Sequence, residues 1–115
     1  MNTDEFKQRT KAFALRVIRL VGALPKSREA NVISAQLLRC ATSVGANYRA
    51  ACRARSRADF IAKIGIVEEE SDESAYWTEL LIETGIMTTD QVSGLLAEAN
   101  EILAMVVASI KTARQ

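Results

Sequence analysis

Histidine is absent from this chain, and proline, glycine, cysteine and aromatic residues are scarce. The 115 residues include one Pro, five Gly, two Cys and one Trp. Without histidine the chain lacks the side chain that most often acts as a general base near neutral pH, and it lacks a common ligand of zinc and di-iron sites. It also contains no glycine-rich phosphate loop, nucleophile elbow or Cys/His pair. We therefore predict a protein that is not an enzyme and that holds no cofactor.

The two cysteines and the N-terminal segment indicate the cellular compartment. Cys40 and Cys52 fall in one predicted helix, about 18 Å apart at 1.5 Å per residue, which is beyond disulfide reach. The first twenty residues mix acids and bases without an apolar signal region, and no window approaches eighteen uncharged apolar residues. We predict a cytoplasmic protein that does not associate with a membrane.

Charge is divided unevenly between the two halves of the chain. The net charge is only +1, but residues 1–57 hold twelve Lys/Arg against three Asp/Glu, and residues 58–115 hold three against eleven. One half therefore carries +9 and the other −8. Such an asymmetry favours contacts between the basic half of one subunit and the acidic half of the next.

Two amphipathic helices precede residue 55, and the only proline, Pro25, separates them. Apolar residues recur every three or four positions over 4–24, and Ser27 is a suitable N-cap for a second helix that continues to about residue 54. The predicted core stripes are Phe6, Thr10, Phe13, Val17, Leu20 and Leu24 in the first helix, and Ile33, Leu37, Cys40, Val44, Tyr48 and Ala51 in the second.

Two further helices follow. Ser56 with Asp59 resembles a capping box, Gly85 suits the position after a helix end, and Thr88 or Thr89 caps the last helix. Short turns between four helices predict an all-α, antiparallel up-down-up-down four-helix bundle, with a single domain over residues 1–115. The predicted stripes are Phe60, Ile64, Val67, Ser71, Ala75, Thr78, Leu81 and Ile82, then Val92, Leu95, Leu96, Ala99, Ile102, Leu103, Val106 and Ile110.

Polar ridges run along the flanks of helices two and three. If the chain turns near residue 56, antiparallel pairing sets Arg39 opposite Glu73 and Ser43 opposite Glu70. We predict charge-assisted contacts that fix helix register within a subunit or join neighbouring subunits. The predicted network is Gln36, Arg39, Ser43, Asn47, Glu70, Glu73 and Trp77.

The acidic run EEESDE, residues 68–73, has the oxygen ligands that hard cations prefer. On a helical wheel, however, Glu68, Glu69 and Asp72 point away from Glu70 and Glu73. The spacing therefore favours a solvated acidic face and no metal site.

A basic cluster lies where helix two turns into helix three. Repeated around an oligomer, it would bind phosphates at several points, and affinity rises with each phosphate neutralised. The alternative is that these cations meet acids of a neighbouring subunit or remain solvated. Because aromatic residues are not interleaved, base-specific recognition is not expected. The cluster consists of Arg49, Arg53, Arg55, Arg57 and Lys63.

Residues 36–85 resemble the bacterial four-helix-bundle proteins first noticed as reading frames in intervening sequences of large-subunit ribosomal RNA genes. The family usually ends helix two with Asn-Ile-Ala-Glu-Gly, whereas residues 47–51 read Asn-Tyr-Arg-Ala-Ala, which removes a Glu and adds an Arg. The resemblance is carried most specifically by Gln36 with Arg39, Ser43 with Asn47, the turn from Arg55 to Phe60, and Glu70 with Glu73 and Trp77.

This resemblance implies a bundle that assembles into rings, typically of five subunits, and whose function is largely unassigned. A distant relative is the accessory protein of diversity-generating retroelements, a basic ring that binds nucleic acid and a reverse transcriptase. We therefore expect a non-enzymatic, pentameric scaffold that binds RNA or DNA without sequence preference. The alternative is an assembly module that contacts only protein partners, and a monomer with unused surface remains the simplest contrary outcome.

Overall fold

A computed structural model describes residues 2–115, which form four long α-helices and no strand. The predicted all-α four-helix bundle is confirmed. Short segments of four or five residues join each helix to the next, which forces consecutive helices to run antiparallel. The helices are α1 (Thr3–Gly22), α2 (Arg28–Cys52), α3 (Arg57–Glu83) and α4 (Thr89–Ala113).

Each helix begins at a side chain that accepts a hydrogen bond from a backbone N–H in the first turn. Ser27 and Ser56 cap α2 and α3 as predicted, and Thr88 with Gln91 forms a complete capping box on α4. A second capping box, Asn2 with Glu5, starts α1. These residues satisfy backbone donors that would otherwise have no partner at the helix ends.

The helix ends differ slightly from the predicted ones. Helix α1 ends at Gly22 rather than residue 24, and α2 ends at Cys52 rather than residue 54. Gly85, just beyond α3, has φ +76°, the left-handed conformation expected at this position. Its N–H donates to the carbonyl of Ile82, so the chain reverses tightly before α4.

The helices lie side by side in a bundle 44 Å long and about 20 Å across. Backbones approach within 8 Å only between consecutive helices and between α1 and α4, so α1 and α3 lie on one diagonal of the described bundle and α2 and α4 on the other. The closest pairing is α2 with α3, and the loosest is α1 with α4. The bundle is therefore most open along the seam between α1 and α4.

Small polar residues make the centre of the α3 core face. Ser71, Ser74 and Thr78 are buried, and each hydroxyl donates to the carbonyl of the residue four positions earlier. These hydroxyls are thus satisfied without leaving their own helix, and their small size allows α2 to approach closely. The sequence predicted Ser71 and Thr78 in this stripe but not Ser74.

Glycine at position 45 brings α1 and α2 together. A Cβ at Gly45 would lie 3.3 Å from the Thr10 hydroxyl oxygen and 3.6 Å from its backbone carbon. Gly45 therefore faces α1 inside the subunit.

Helix α4 is long and apolar enough to cross a membrane by length and composition alone. Only 28% of its most apolar 18-residue window is buried within the subunit. The buried positions still recur every three or four residues, from Val92 to Ile110, and form the α4 side of the core. Its exposed positions are mixed: they include the apolar residues Ala97, Ala104, Val107 and Ala108 and polar residues such as Asn100 and Glu101.

Candidate nucleic-acid interface

The predicted basic cluster lies at one end of the bundle, where parts of all four helices meet. Because the helices alternate in direction, the start of α1, the end of α2, the start of α3 and the end of α4 meet there. We call this the arginine end, after Arg49, Arg53, Arg55 and Arg57.

The five predicted cations divide into two groups at the arginine end. The Arg57 side chain donates to the carbonyls of Ala113 and Gln115, which closes the C-terminal end of α4. Lys63 lies 2.9 Å from a carboxylate oxygen of Asp59. These two side chains therefore have partners within the subunit.

The other three cations have no such partner. Arg49, Arg53 and Arg55 are exposed, and their guanidinium groups make no ion pair or hydrogen bond with any residue from 2 to 115. The Asp59 carboxylate accepts hydrogen bonds from the Arg55 backbone N–H and from Lys63, which lower its pKa, Lys63 having the larger effect. Asp59 thus organises the turn without neutralising an arginine.

The structure places further cations beside the predicted ones. A groove of about 320 Å³ between α1 and α2 is lined by Lys7, Lys11 and Arg49, with one acid, Asp4, at its edge. Gly45 lies in the groove wall. The sequence analysis did not include these two lysines. They could have been predicted, because α2 runs antiparallel to α1 and therefore ends beside the start of α1.

An open cavity of about 650 Å³ occupies the arginine end itself. Phe60 and Tyr48 supply its aromatic surface, and the rest is small or hydroxylated. Burial raises the pKa of Tyr48, and the neighbouring Cys52 thiol adds to the rise. We call this the end cavity; it is lined by Thr3, Tyr48, Ala51, Cys52, Ala54, Ser56, Phe60, Ala108, Ser109, Thr112 and Ala113.

The polar network between α2 and α3 centres on Arg39. Its guanidinium lies 3.2 Å from a Glu70 oxygen and also bonds Glu73, while its Nε donates to Gln36 at 3.2 Å. The Trp77 indole N–H donates to the same Glu73 carboxylate at 3.2 Å. All these contacts lie within one chain, so Arg39 joins α2 to α3 of its own subunit.

Two predicted members of that network pair differently. Ser43 was expected opposite Glu70, but the Asn47 amide donates to the Ser43 hydroxyl and carbonyl, both at 2.9 Å. Glu70 is instead bound by Arg39. The longer reach of arginine lets it span both glutamates, which leaves Ser43 and Asn47 as a local pair on α2.

A second ion-pair network, which the sequence did not indicate, connects α1 to α4. The Arg9 guanidinium donates twice to Glu98, at 2.8 and 2.7 Å, and lies 3.3 Å from Glu101. The hydrogen bond from Arg9 lowers the pKa of Glu98, and the same pairing raises the pKa of Arg9. These residues are 89 positions apart in the chain, so only the folded topology reveals the pair.

Among residues 2–115, no group of three or more Cys, Asp or Glu side chains is arranged so that it could hold a metal ion. Cys40 is fully buried, and its sulfur lies 3.3 Å from the Ser74 hydroxyl oxygen. Burial raises the pKa of the Cys40 thiol. The chemistry available at the arginine end is therefore that of guanidinium and ammonium groups around an aromatic-walled cavity, which suits anions and planar rings.

Known proteins similar to this chain agree with this architecture. The family model of the 23S rRNA-intervening sequence protein matches residues 3–108. A similar crystal structure is that of a protein of unknown function from the S23 ribosomal protein family of Bacteroides thetaiotaomicron VPI-5482. The two sequences are 39% identical, and the structures superpose with a TM-score of 0.88 over 96% of this chain and 99% of that chain.

No curated protein matches this chain. The family description and that of the solved structure name no enzymatic activity. The match extends over all four helices and includes every residue of the Arg39 network and the basic cluster. The chain therefore belongs to the 23S rRNA-intervening sequence protein family.

Proposed function

We propose that this protein is a non-enzymatic, cytoplasmic scaffold that assembles into a ring of helical bundles and binds RNA or DNA without sequence preference. A pentamer is the proposed ring, following the resemblance of residues 36–85. The arginine end is the proposed binding surface. The Arg39 network is assigned a different task, which is to hold α2 and α3 in register.

The observation that carries the proposal is the unpaired state of three neighbouring arginines. Arg49, Arg53 and Arg55 are exposed at one end and lack acidic partners within residues 2–115. Guanidinium groups bind phosphate oxygens through several N–H donors, and each neutralised phosphate releases counterions. Lys7 and Lys11 extend the same positive surface along the groove between α1 and α2.

Assembly strengthens this mode of binding. Several copies of the arginine end, held in one ring, would contact a single strand at several points, so that modest affinities combine. Uncovered apolar surface on each subunit supports assembly: the exposed large apolar side chains include Leu15, Ile18, Val32 and Val107.

The alternative is an assembly module that binds only proteins. One observation favours it: Arg57 and Lys63 already have partners within the subunit, so two of the five predicted phosphate contacts are partly committed. In that case the three remaining arginines would meet acids on a neighbouring subunit or partner. This alternative predicts no retention on heparin or RNA at moderate salt.

The test is light scattering at low and high salt, with and without a generic RNA oligonucleotide, combined with binding titrations. We expect a ring that survives high salt and gains RNA mass at low salt. Log affinity should fall linearly with log salt. Arg53→Glu should make that slope shallower by about 0.7 for each phosphate of a single strand that the protein no longer neutralises.

Arg19→Glu is the matched control. Arg19 is also exposed and lies near the C-terminal end of a helix, but at the opposite end of the bundle. Both substitutions change charge by the same amount, and both place an acid where the helix dipole disfavours it. If the two variants weaken RNA binding equally, the arginine end is not the binding surface. A ring that ignores RNA would favour the protein-only alternative.

A further inference from the structure

We propose that the end cavity is a binding site for an unpaired nucleobase, so that the protein prefers single-stranded to double-stranded nucleic acid. This inference rests on the proposed function and adds to it the class of nucleic acid bound. The structural basis is a ring-sized, aromatic-walled cavity whose edge residues alternate with unpaired arginines.

The cavity has the size and lining that a base requires. Its volume of about 650 Å³ falls within the roughly 300–1,000 Å³ usual for small-molecule sites. Phe60, half-buried at the start of α3, offers an aromatic surface for stacking. Ser109 and Thr112 of α4 also line the cavity, and their hydroxyls make no hydrogen bond to any residue from 2 to 115. They can therefore bond the polar edge of a base.

The surrounding charges fit a nucleotide rather than an uncharged ring. Cys52, Ala54 and Ser56 line the cavity, and the residues that alternate with them are Arg53, Arg55 and Arg57. A nucleotide with its base in the cavity would therefore have its phosphate beside Arg53 and Arg55, which lack partners within the subunit. Duplex nucleic acid offers the same phosphates but keeps its bases stacked inside, so it gains only the electrostatic part of the binding.

Sequence alone did not predict this site because its aromatic residues are not interleaved with the arginines along the chain. Phe60 follows the cluster, and Tyr48 precedes it within α2. Only the turn between α2 and α3, closed by the last turn of α4, brings them to one cavity.

The first experiment measures the affinity of the full-length protein for a single-stranded oligonucleotide and for a duplex with the same number of phosphates. We expect the single strand to bind about tenfold more tightly, the size of effect that stacking one base produces. Ser109→Met, which occupies part of the cavity from α4 without adding an aromatic ring, should reduce that preference and change duplex binding little. Phe60→Leu, which keeps an apolar side chain but removes the aromatic ring, should also reduce it. Ser93→Met, at an exposed site near the start of α4, is the matched control.

Cys52 provides a second readout that needs no substitution. It is half-buried and lines the cavity, whereas Cys40 has no exposed surface. A maleimide should therefore label Cys52 alone, and a short single-stranded oligonucleotide should slow that labelling more than the duplex does.

The possible results separate this inference from the proposed function. Equal affinity for the two forms, or Ser109→Met and Phe60→Leu variants that both keep the wild-type preference, would overturn the base site; loss of binding in Arg53→Glu would then still support phosphate binding. If the wild-type protein binds neither form at low salt, both the proposed function and this inference are wrong.

Discussion

Small side chains set the distance between helices at two places in the core. Gly45 on α2 lies against Thr10 on α1, and the buried Ser74 of α3 lies against Cys40 on α2. Close packing of this kind tolerates little added volume, because the interior has few voids into which side chains can move. The same residue type can nevertheless have opposite consequences at two positions, as the glycines of this chain illustrate.

Gly65→Ala should stabilise the protein and Gly45→Val should destabilise it. A Cβ at Gly65 meets no atom within 4 Å, so alanine adds helix propensity of about 1 kcal/mol without a clash. At Gly45 the added atoms would press on Thr10, at a cost of about 2 kcal/mol. Urea unfolding at fixed protein concentration measures both. Destabilisation by Gly65→Ala would contradict the open space at that site.

Arg39 holds two glutamates that stand one helical turn apart. Arg39→Met keeps the methylene stem but leaves Glu70 and Glu73 as like charges at i and i+3, and we expect stability to fall by about 1 kcal/mol. Adding Glu73→Gln should recover part of that stability because it removes the repulsion. Thermal unfolding of the two single variants and the double variant completes a cycle. Strictly additive effects would contradict the ion-pair account.

At the scale of helices, the bundle has one weak seam. Helices α1 and α4 approach each other least, and the Arg9 network is the ion-pair contact that joins them. The side chains of Arg9 and Glu98 are largely buried along this seam, with 23% and 17% of their surfaces exposed. A bidentate, partly shielded pair contributes more than an ordinary surface pair, because two parallel hydrogen bonds fix its geometry and partial burial reduces screening by solvent.

Glu98→Gln should lower stability by about 1 kcal/mol at neutral pH and have little effect in acid. In the folded protein the pKa of Glu98 lies below its ordinary value of 4.5. Its contribution is therefore complete above pH 4.5 and is lost as the pH falls through the folded pKa. Denaturant unfolding at several pH values from 7 downward would measure the difference, which should shrink only below pH 4.5. Glu101→Gln, at the exposed edge of the network, should have a smaller effect.

The helices were predictable because their information is local. Three- and four-residue spacing predicted most of the α2 core face: every residue of its predicted stripe is buried, and Ala30 and Ala41 are buried as well. In the stripe predicted for the first helix, Leu20 is only partly buried, and Leu24, also partly buried, lies beyond the end of α1. Ser74 was not predicted to be buried because serine is polar. Its hydroxyl donates to the Glu70 carbonyl of its own helix, which allows the side chain to be buried.

The site was less predictable because its contacts depend on tertiary structure. The basic cluster was visible as a run of arginines, but which of them remain unpaired was not. Arg57 donates to carbonyls 56 and 58 positions away, which no local pattern encodes. Likewise, the sequence predicted that Arg39 lies opposite Glu73. It did not predict that Arg39 also bonds Glu70, which had been expected opposite Ser43.

At the scale of the whole molecule, the charge halves and the apolar face of α4 bear on the proposed ring. The basic half forms α1 and α2, and the acidic half forms α3 and α4, so opposite charges already meet within one subunit through Arg9 and Arg39. Charge alone therefore does not require a neighbour. Exposed apolar side chains make a stronger case, and α4 contributes one of the large ones, Val107, which is 43% exposed.

The outer face of α4 is thus the expected subunit contact. Ala97, Ala104 and Ala108 are exposed there, and such small residues allow a neighbouring helix to approach closely. Ala104→Glu should therefore shift the oligomer toward monomer, since assembly would bury a carboxylate without a partner. Ala62→Glu, at an exposed position of α3, is the matched control. Light scattering over a range of concentrations measures both variants. If Ala104→Glu leaves the mass unchanged while Ala62→Glu lowers it, the contact lies on α3 instead.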